Sequence, residues 1–179
     1  IFVNCIFKNN RSNQNNSHGG AIFLSFTNEF FLMSIINSIF YNNSCPQSDS
    51  LGHVIYTPII YGPISISNCT FADNGINNEI PNSIIHAQSE LYIDNSFFYF
   101  TKREYSYSRA LYIYMSCPFQ IHNSKIENFT YPNGKGGSIY YESVEYRTNE
   151  DVEIADTTFI NNSADSGTEL YLSILLQPI

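Results

Sequence analysis

Short stretches in which apolar and polar residues alternate recur along this chain. They run over 30–35, Pro63-Ile64-Ser65-Ile66, Glu90-Leu91-Tyr92-Ile93, Phe119-Gln120-Ile121 and Asp151-Val152-Glu153-Ile154. Period-two alternation predicts strands, and the i, i+3, i+4 spacing of a helix is missing. Each stretch leads into a phrase of apolar residue, any residue, Asn, small residue, any residue, Phe. It reads Phe2-Val3-Asn4-Cys5-Ile6-Phe7, Ile35-Ile36-Asn37-Ser38-Ile39-Phe40 and Ile66-Ser67-Asn68-Cys69-Thr70-Phe71. It continues as Ile93-Asp94-Asn95-Ser96-Phe97-Phe98, Ile121-His122-Asn123-Ser124-Lys125-Ile126 and Ile154-Ala155-Asp156-Thr157-Thr158-Phe159. A polar loop follows, and then a second apolar run, for example Ala21-Ile22-Phe23-Leu24 or Ser138-Ile139-Tyr140. Strand chemistry repeated about every 30 residues means a solenoid.

Strands joined by turns, with no helices between them, cannot build a flat parallel sheet through ordinary crossovers. They can build a coil. The predicted fold is all-β: a right-handed, single-stranded parallel β-helix of about six coils, forming one domain over residues 1–179. A leucine-rich repeat horseshoe is the rival solenoid, and its Leu-rich consensus is missing. The chain starts at Ile1, directly against the first phrase, and the last copy lacks a polar cap, so the chain is expected to be a piece of a longer array. Six layers at about 4.8 Å make a rod about 30 Å long.

The phrase assigns structural roles. Asn4, Asn37, Asn68, Asn95 and Asn123 are expected to form a buried side-chain amide ladder, ended by Asp156 because a carboxylate only accepts. Phe7, Phe40, Phe71, Phe98, Ile126 and Phe159 are expected to point inward and stack. The glycines before the second strand suit a tight turn of positive φ. They lack the helix N-terminus that a phosphate cradle needs.

A charged fraction of 13% and net charge of −8 argue against nucleic-acid binding, which needs clustered Lys and Arg. No apolar run approaches the length of a membrane span, so any membrane attachment is expected to come from segments outside this chain. Cys5 and Cys69 recur two layers apart, beyond disulfide reach, and read as small fillers equivalent to Ser38, Ser96, Ser124 and Thr157. Cys45 and Cys117 fall at unrelated places, and no spacing resembles a zinc site. No metal or other cofactor is expected.

Two paired motifs carry a resemblance. Phe-x-x-Asn occurs at Phe7–Asn10, Phe40–Asn43, Phe71–Asn74 and Phe159–Asn162; Gly-Gly-Ala-Ile occurs at Gly19–Ile22 and Gly-Gly-Ser-Ile at Gly136–Ile139. The chain resembles the polymorphic membrane protein repeats of autotransporter adhesins, and similar repeats in protist surface proteins. The resemblance covers essentially the whole chain; the fourth copy, with Phe98-Tyr99-Phe100-Thr101 and Ser108-Arg109, departs most. It implies extracellular or cell-surface display, a β-helical stalk, adhesion to host-cell surface proteins or glycans, and no catalytic residues.

Beyond the motif, Phe23, Tyr56, His86, Tyr112, Tyr140 and Tyr171 each follow an inward Ile or Leu, so they should line the outside of one sheet. Such a column either stacks on itself or offers a platform to sugars or a partner protein. Loops on a rigid scaffold carry recognition, and Lys102, Arg103, Tyr105 and Tyr107 form the one basic-aromatic cluster, suited to an acidic glycan. The acidic stretch 142–153, with Glu145, Glu150 and Asp151, could hold calcium, though it lacks the usual Asp and Gly spacing. Sequons begin at Asn10, Asn15, Asn42, Asn68, Asn128 and Asn161; Asn68, in the ladder, should be buried and a poor acceptor. A non-enzymatic adhesive or structural role is therefore expected. The alternative is a polysaccharide-active enzyme akin to pectin lyases or polygalacturonases. Asp94 and His122 are its only ionisable pair on the outside of the phrase, with no second carboxylate. His18, His53 and His86 sit at different repeat positions and form no row.

Overall fold

The computed structural model describes residues 1–13, 18–24, 31–45, 51–58, 62–75, 82–102, 108–114, 117–143 and 151–173. In chain order come β1 (Phe2–Val3), β2 (Ile6–Lys8), β3 (Ile22–Phe23), β4 (Met33–Ile36), β5 (Ile39–Tyr41) and β6 (Ile55–Thr57). Then follow β7 (Ile64–Ser67), β8 (Thr70–Ala72), β9 (Asn82–Ala87), β10 (Leu91–Asp94), β11 (Phe97–Tyr99) and β12 (Ser108–Tyr114). Next are β13 (Phe119–His122), β14 (Lys125–Glu127), β15 (Thr130–Lys135) and β16 (Ile139–Glu142). The remainder are β17 (Val152–Ala155), β18 (Thr158–Ile160), β19 (Ser163–Ser166) and β20 (Leu170–Ser173).

Equivalent strands of successive repeats pair in parallel. The first six-stranded sheet is β1-β4-β7-β10-β13-β17, the second β2-β5-β8-β11-β14-β18, and the third β3-β6-β9-β12-β16-β20. Strands β15 and β19 form a separate two-stranded ribbon. The chain is thus a parallel β-solenoid. Among the described residues there is no helix, hence none long and apolar enough to cross a membrane.

Register decides which residues share the core. The pairings Phe7↔Phe40, Phe40↔Phe71, Phe71↔Phe98, Phe98↔Ile126 and Ile126↔Phe159 align one column through the second sheet. The first four rings stack face to face at 4.7, 4.7 and 4.5 Å, within 2° of parallel. Phe40, Phe71, Phe98 and Ile126 are buried, whereas Phe7 and Phe159, in the outermost layers, are half-buried. Ile35, Ile66, Ile93 and Ile121 fill the same interior from the first sheet, and Ile55, Ile85, Leu111 and Ile139 from the third.

The asparagine ladder lies elsewhere than expected. Asn4, Asn37, Asn68, Asn95 and Asn123 are exposed, with φ of 55°, 50°, 52°, 44° and 49°. They form the corner between the first two sheets, where the chain turns through the left-handed region that Asn tolerates better than most residues. Within that column Asn95 Nδ2 donates to Asn68 Oδ1, but Asn123 Nδ2 donates sideways to Asp94 Oδ1. Asp156 is another corner residue at φ 49°. The buried ladder belongs to the last Asn of Phe-x-x-Asn. Asn10 Nδ2 donates to Asn43 Oδ1 at 2.8 Å, and Asn43 Nδ2 to Asn74 Oδ1 at 3.0 Å. The residue before it (Asn9, Asn42, Asp73, Asn161), and Asn128 before Phe129 in the fifth repeat, makes a second left-handed corner.

The Ser, Cys and Thr column is more than filler. Ser38, Ser96, Ser124 and Thr157 each donate a hydroxyl to the backbone carbonyl two residues back. The Cys5, Cys69 and Ser96 amides donate in turn to the hydroxyls of Ser38, Ser96 and Ser124 in the following layer. No disulfide joins the four cysteines. Glycines of the second motif divide their work. Gly19 and Gly136 turn at φ 59° and 69°, while a Cβ on Gly20 or Gly137 would lie 2.3 Å from the carbonyl oxygen of His53 or Thr168 in the neighbouring layer.

Candidate recognition face

The outward column on the third sheet is in register throughout: Phe23↔Tyr56↔His86↔Tyr112↔Tyr140↔Tyr171. Adjacent rings lie 5.7, 5.4, 4.5, 5.0 and 5.3 Å apart. All but the Tyr56–His86 pair, tilted by 56°, are stacked. The ring faces are therefore spent on one another, leaving edges and hydroxyls to the outside. Phe23 is exposed, the four tyrosines are half-buried, and His86 is only 5% exposed. His86 faces a covered environment rather than the open surface its position in the sequence suggests.

Other side chains close over the column. The His18 ring lies 4.6 Å from Tyr56, and His18 Nδ1 accepts from the Leu51 amide. Arg109, 5% exposed, sets its guanidinium 3.8 Å from the Tyr131 ring centroid, 4.7 Å from Tyr140 and 5.2 Å from Tyr112. Tyr131 belongs to β15, so the ribbon caps this part of the sheet. Glu142 accepts hydrogen bonds from the hydroxyls of Tyr112 and Tyr140, both at 3.2 Å. Lys135 Nζ donates to the Tyr171 hydroxyl at 2.8 Å.

Burial governs the electrostatics here. It pulls His86 down to about 3, with the charges of His18 and Arg109 adding to the effect, so the imidazole is neutral at ordinary pH. Burial also pushes the Tyr112 and Tyr140 phenols up, reinforced by the Glu142 carboxylate. It lowers Arg109, opposed by Tyr131, Tyr112 and Tyr140, and the guanidinium stays charged at neutral pH.

Of the basic-aromatic loop, Lys102 is exposed, while Arg103, Tyr105 and Tyr107 lie outside the described residues. Glu145 and Glu150 of the acidic stretch lie outside them too, as does Asn15. Asn68 is exposed, correcting the expectation that this sequon is buried. Among the described residues no three or more His, Cys, Asp or Glu converge as a metal site.

The outside of the first sheet holds the other constellation. Asp94 and His122 are register partners. The second carboxylate missing from the sequence reading is present: Glu153 Oε1 lies 3.4 Å from His122 Nε2, close enough for an ion pair though without hydrogen-bond geometry. Glu153 belongs to the alternating stretch before the sixth phrase, opposite Gln120, which is why reading the phrase alone missed it. Arg109 was legible only as a departure from the double-glycine motif, and Tyr131 and Glu142 carried no repeat signal. Compared with protein-family models, curated proteins and solved structures, the chain matches none.

Proposed function

We propose that this chain is a right-handed, single-stranded parallel β-helix of about six coils, part of a longer array, and that it serves as a non-enzymatic adhesive stalk. It would work outside the cell or at its surface, displaying loops to host-cell surface proteins or glycans. One observation carries the reading. The three sheets keep continuous register while the segments between the second and third sheets change, from 9–21 and 42–54 to 73–81 and 100–107. A constant scaffold with variable insertions is how recognition loops are commonly held. The resemblance to polymorphic membrane protein repeats supports the same role. The test is binding of the folded, monomeric chain to cultured cells and a glycan array, with circular dichroism as the folding control. Saturable attachment supports adhesion; a β-rich sample that attaches to neither makes the chain a spacer.

The Asp94, His122 and Glu153 grouping favours a second reading, a polysaccharide-active enzyme. Release of reducing or unsaturated ends from acidic polysaccharides, abolished in His122→Ala, would establish it in place of the stalk.

A further inference from the structure

We infer that Arg109 and Ser83 form a seat for the oxyanion, carboxylate or sulfate, of an acidic saccharide. The inference rests on the adhesive reading and names a ligand class for this face.

A buried charge is costly unless it is paired and hydrogen-bonded. Arg109 is buried, and among the described residues it forms no ion pair. Its Nη1 is enclosed and has no hydrogen-bond partner. Ser83 Oγ is a second enclosed polar atom without a partner. Ser83 and Arg109 are register partners on β9 and β12, so both side chains leave the sheet on the same side, about 4.8 Å apart at their origins. A guanidinium donor, leaning towards Tyr131 and Tyr140, and a hydroxyl donor on the neighbouring strand are thus both left unused on one side of the sheet.

The surroundings suit an anion. Tyr131, Tyr140 and Tyr112 hold the guanidinium through contacts with their rings, Tyr131 also by a hydrogen bond, and the remaining in-plane N–H groups, those of Nη1 among them, are what a carboxylate or sulfate takes. His86 is neutral and adds no competing charge. Among the described residues the carboxylate nearby, Glu142, is bound to the Tyr112 and Tyr140 hydroxyls. Those phenols and Glu142 form a polar rim that can meet sugar hydroxyls. The half-buried Tyr131 ring covers the guanidinium from the ribbon, so a ligand enters by displacing one side chain.

The test is titration of the 179-residue chain, followed by NMR and calorimetry, with a uronic-acid oligosaccharide, its neutral counterpart and sodium sulfate. Saturable binding of the uronate oligosaccharide is expected, with none of the neutral one. Arg109→Gln should weaken it by about tenfold or more, Ser83→Ala by a few-fold, and Arg109→Lys should restore part of the loss. Tyr131→Ala, which removes the cover and one of the three rings against the guanidinium but leaves Arg109, Ser83, Tyr112 and Tyr140 in place, should speed association, and this variant decides the matter if Arg109→Gln does not fold. Equal binding by folded wild-type and Arg109→Gln chains would overturn the seat. So would equal uptake of the neutral sugar, sulfate binding as tight as the uronate (an adventitious ion only), or an unchanged association rate in Tyr131→Ala. Failure here is separable from failure of the adhesive reading: cell attachment that survives Arg109→Gln leaves adhesion standing, and uronate binding without attachment leaves the seat standing.

Discussion

Asn74 Oδ1 receives both the side-chain amide and the backbone N–H of Asn43, at 3.0 and 2.9 Å. Asn43 Nδ2 also donates to the Phe7 carbonyl, and Asn74 Nδ2 to the Phe40 carbonyl, so each amide ties its own layer to the preceding one at two points. Phe129 N donating to Asn162 Oδ1, and Asn162 Nδ2 to the Ile126 carbonyl, repeat the device further along. The fourth repeat has Thr101 at this place, and there the link changes: Thr101 donates through its amide and hydroxyl to the Asp73 carboxylate.

The two asparagine columns should respond oppositely to glycine. Asn43→Ala or Asn43→Gly leaves buried groups unpaired and should cost about 2–4 kcal/mol. Asn37→Ala should cost about 1 kcal/mol, because Ala resists a φ of 50°, whereas Asn37→Gly should be close to neutral. Denaturant unfolding of the four variants checks this; a loss from Asn37→Gly equal to that from Asn43→Gly would return the ladder to the first corner.

Removing a ring from the stacked core column should cost more than removing any loop side chain. Phe71 is buried between Phe40 and Phe98, and Phe71→Ala should cost about 3–5 kcal/mol. A change below about 1 kcal/mol in equilibrium unfolding would contradict that burial.

Gly137→Ala tests the close approach of layers. Its Cβ would meet the Thr168 oxygen at 2.3 Å and the Ser163 oxygen at 2.7 Å, both backbone atoms. The layers must separate there, at a cost of about 1–3 kcal/mol, read as a lowered melting midpoint. Wild-type stability in this variant would place the third sheet further from the following turn than the geometry states.

Acidification should weaken the fold through two imidazoles. Burial pulls His53 down to about 4, opposed by a hydrogen bond to the Cys45 backbone, and holds His86 at about 3. A folded pKa below the unfolded 6.5 means the unfolded chain binds protons first as pH falls. Stability is full above that value and declines towards pH 4, by about 3 kcal/mol for His53 alone. Unfolding free energies measured across this range should slope downward, and His53→Gln should flatten the slope. No decline in the wild type would mean that neither ring is buried neutral.

Much of the architecture was legible because a solenoid writes its fold repeatedly. Alternation before each phrase and the recurring Phe column were enough to align strands, since one-residue slippage would turn Phe40 and Phe71 out of the core together. The first asparagine column misled because sequence shows that Asn recurs but not its φ. A residue chosen for a left-handed turn and one chosen for a side-chain ladder look alike in a sequence. Glu153 and Arg109 escaped because neither recurs, and a periodic reading discards what does not repeat.

The sequence by itself determined the all-β class, the parallel stacking of equivalent strands and the inward column from Phe7 to Phe159. Those follow from local alternation and a fixed period, which bury the same face in every layer. Only the tertiary structure decided that the outward aromatic rings spend their faces on one another, that β15 caps part of the third sheet, and that Arg109 is buried with no ion-pair partner among the described residues. These depend on contacts between residues in different repeats and on side-chain direction after a turn, which no local pattern encodes.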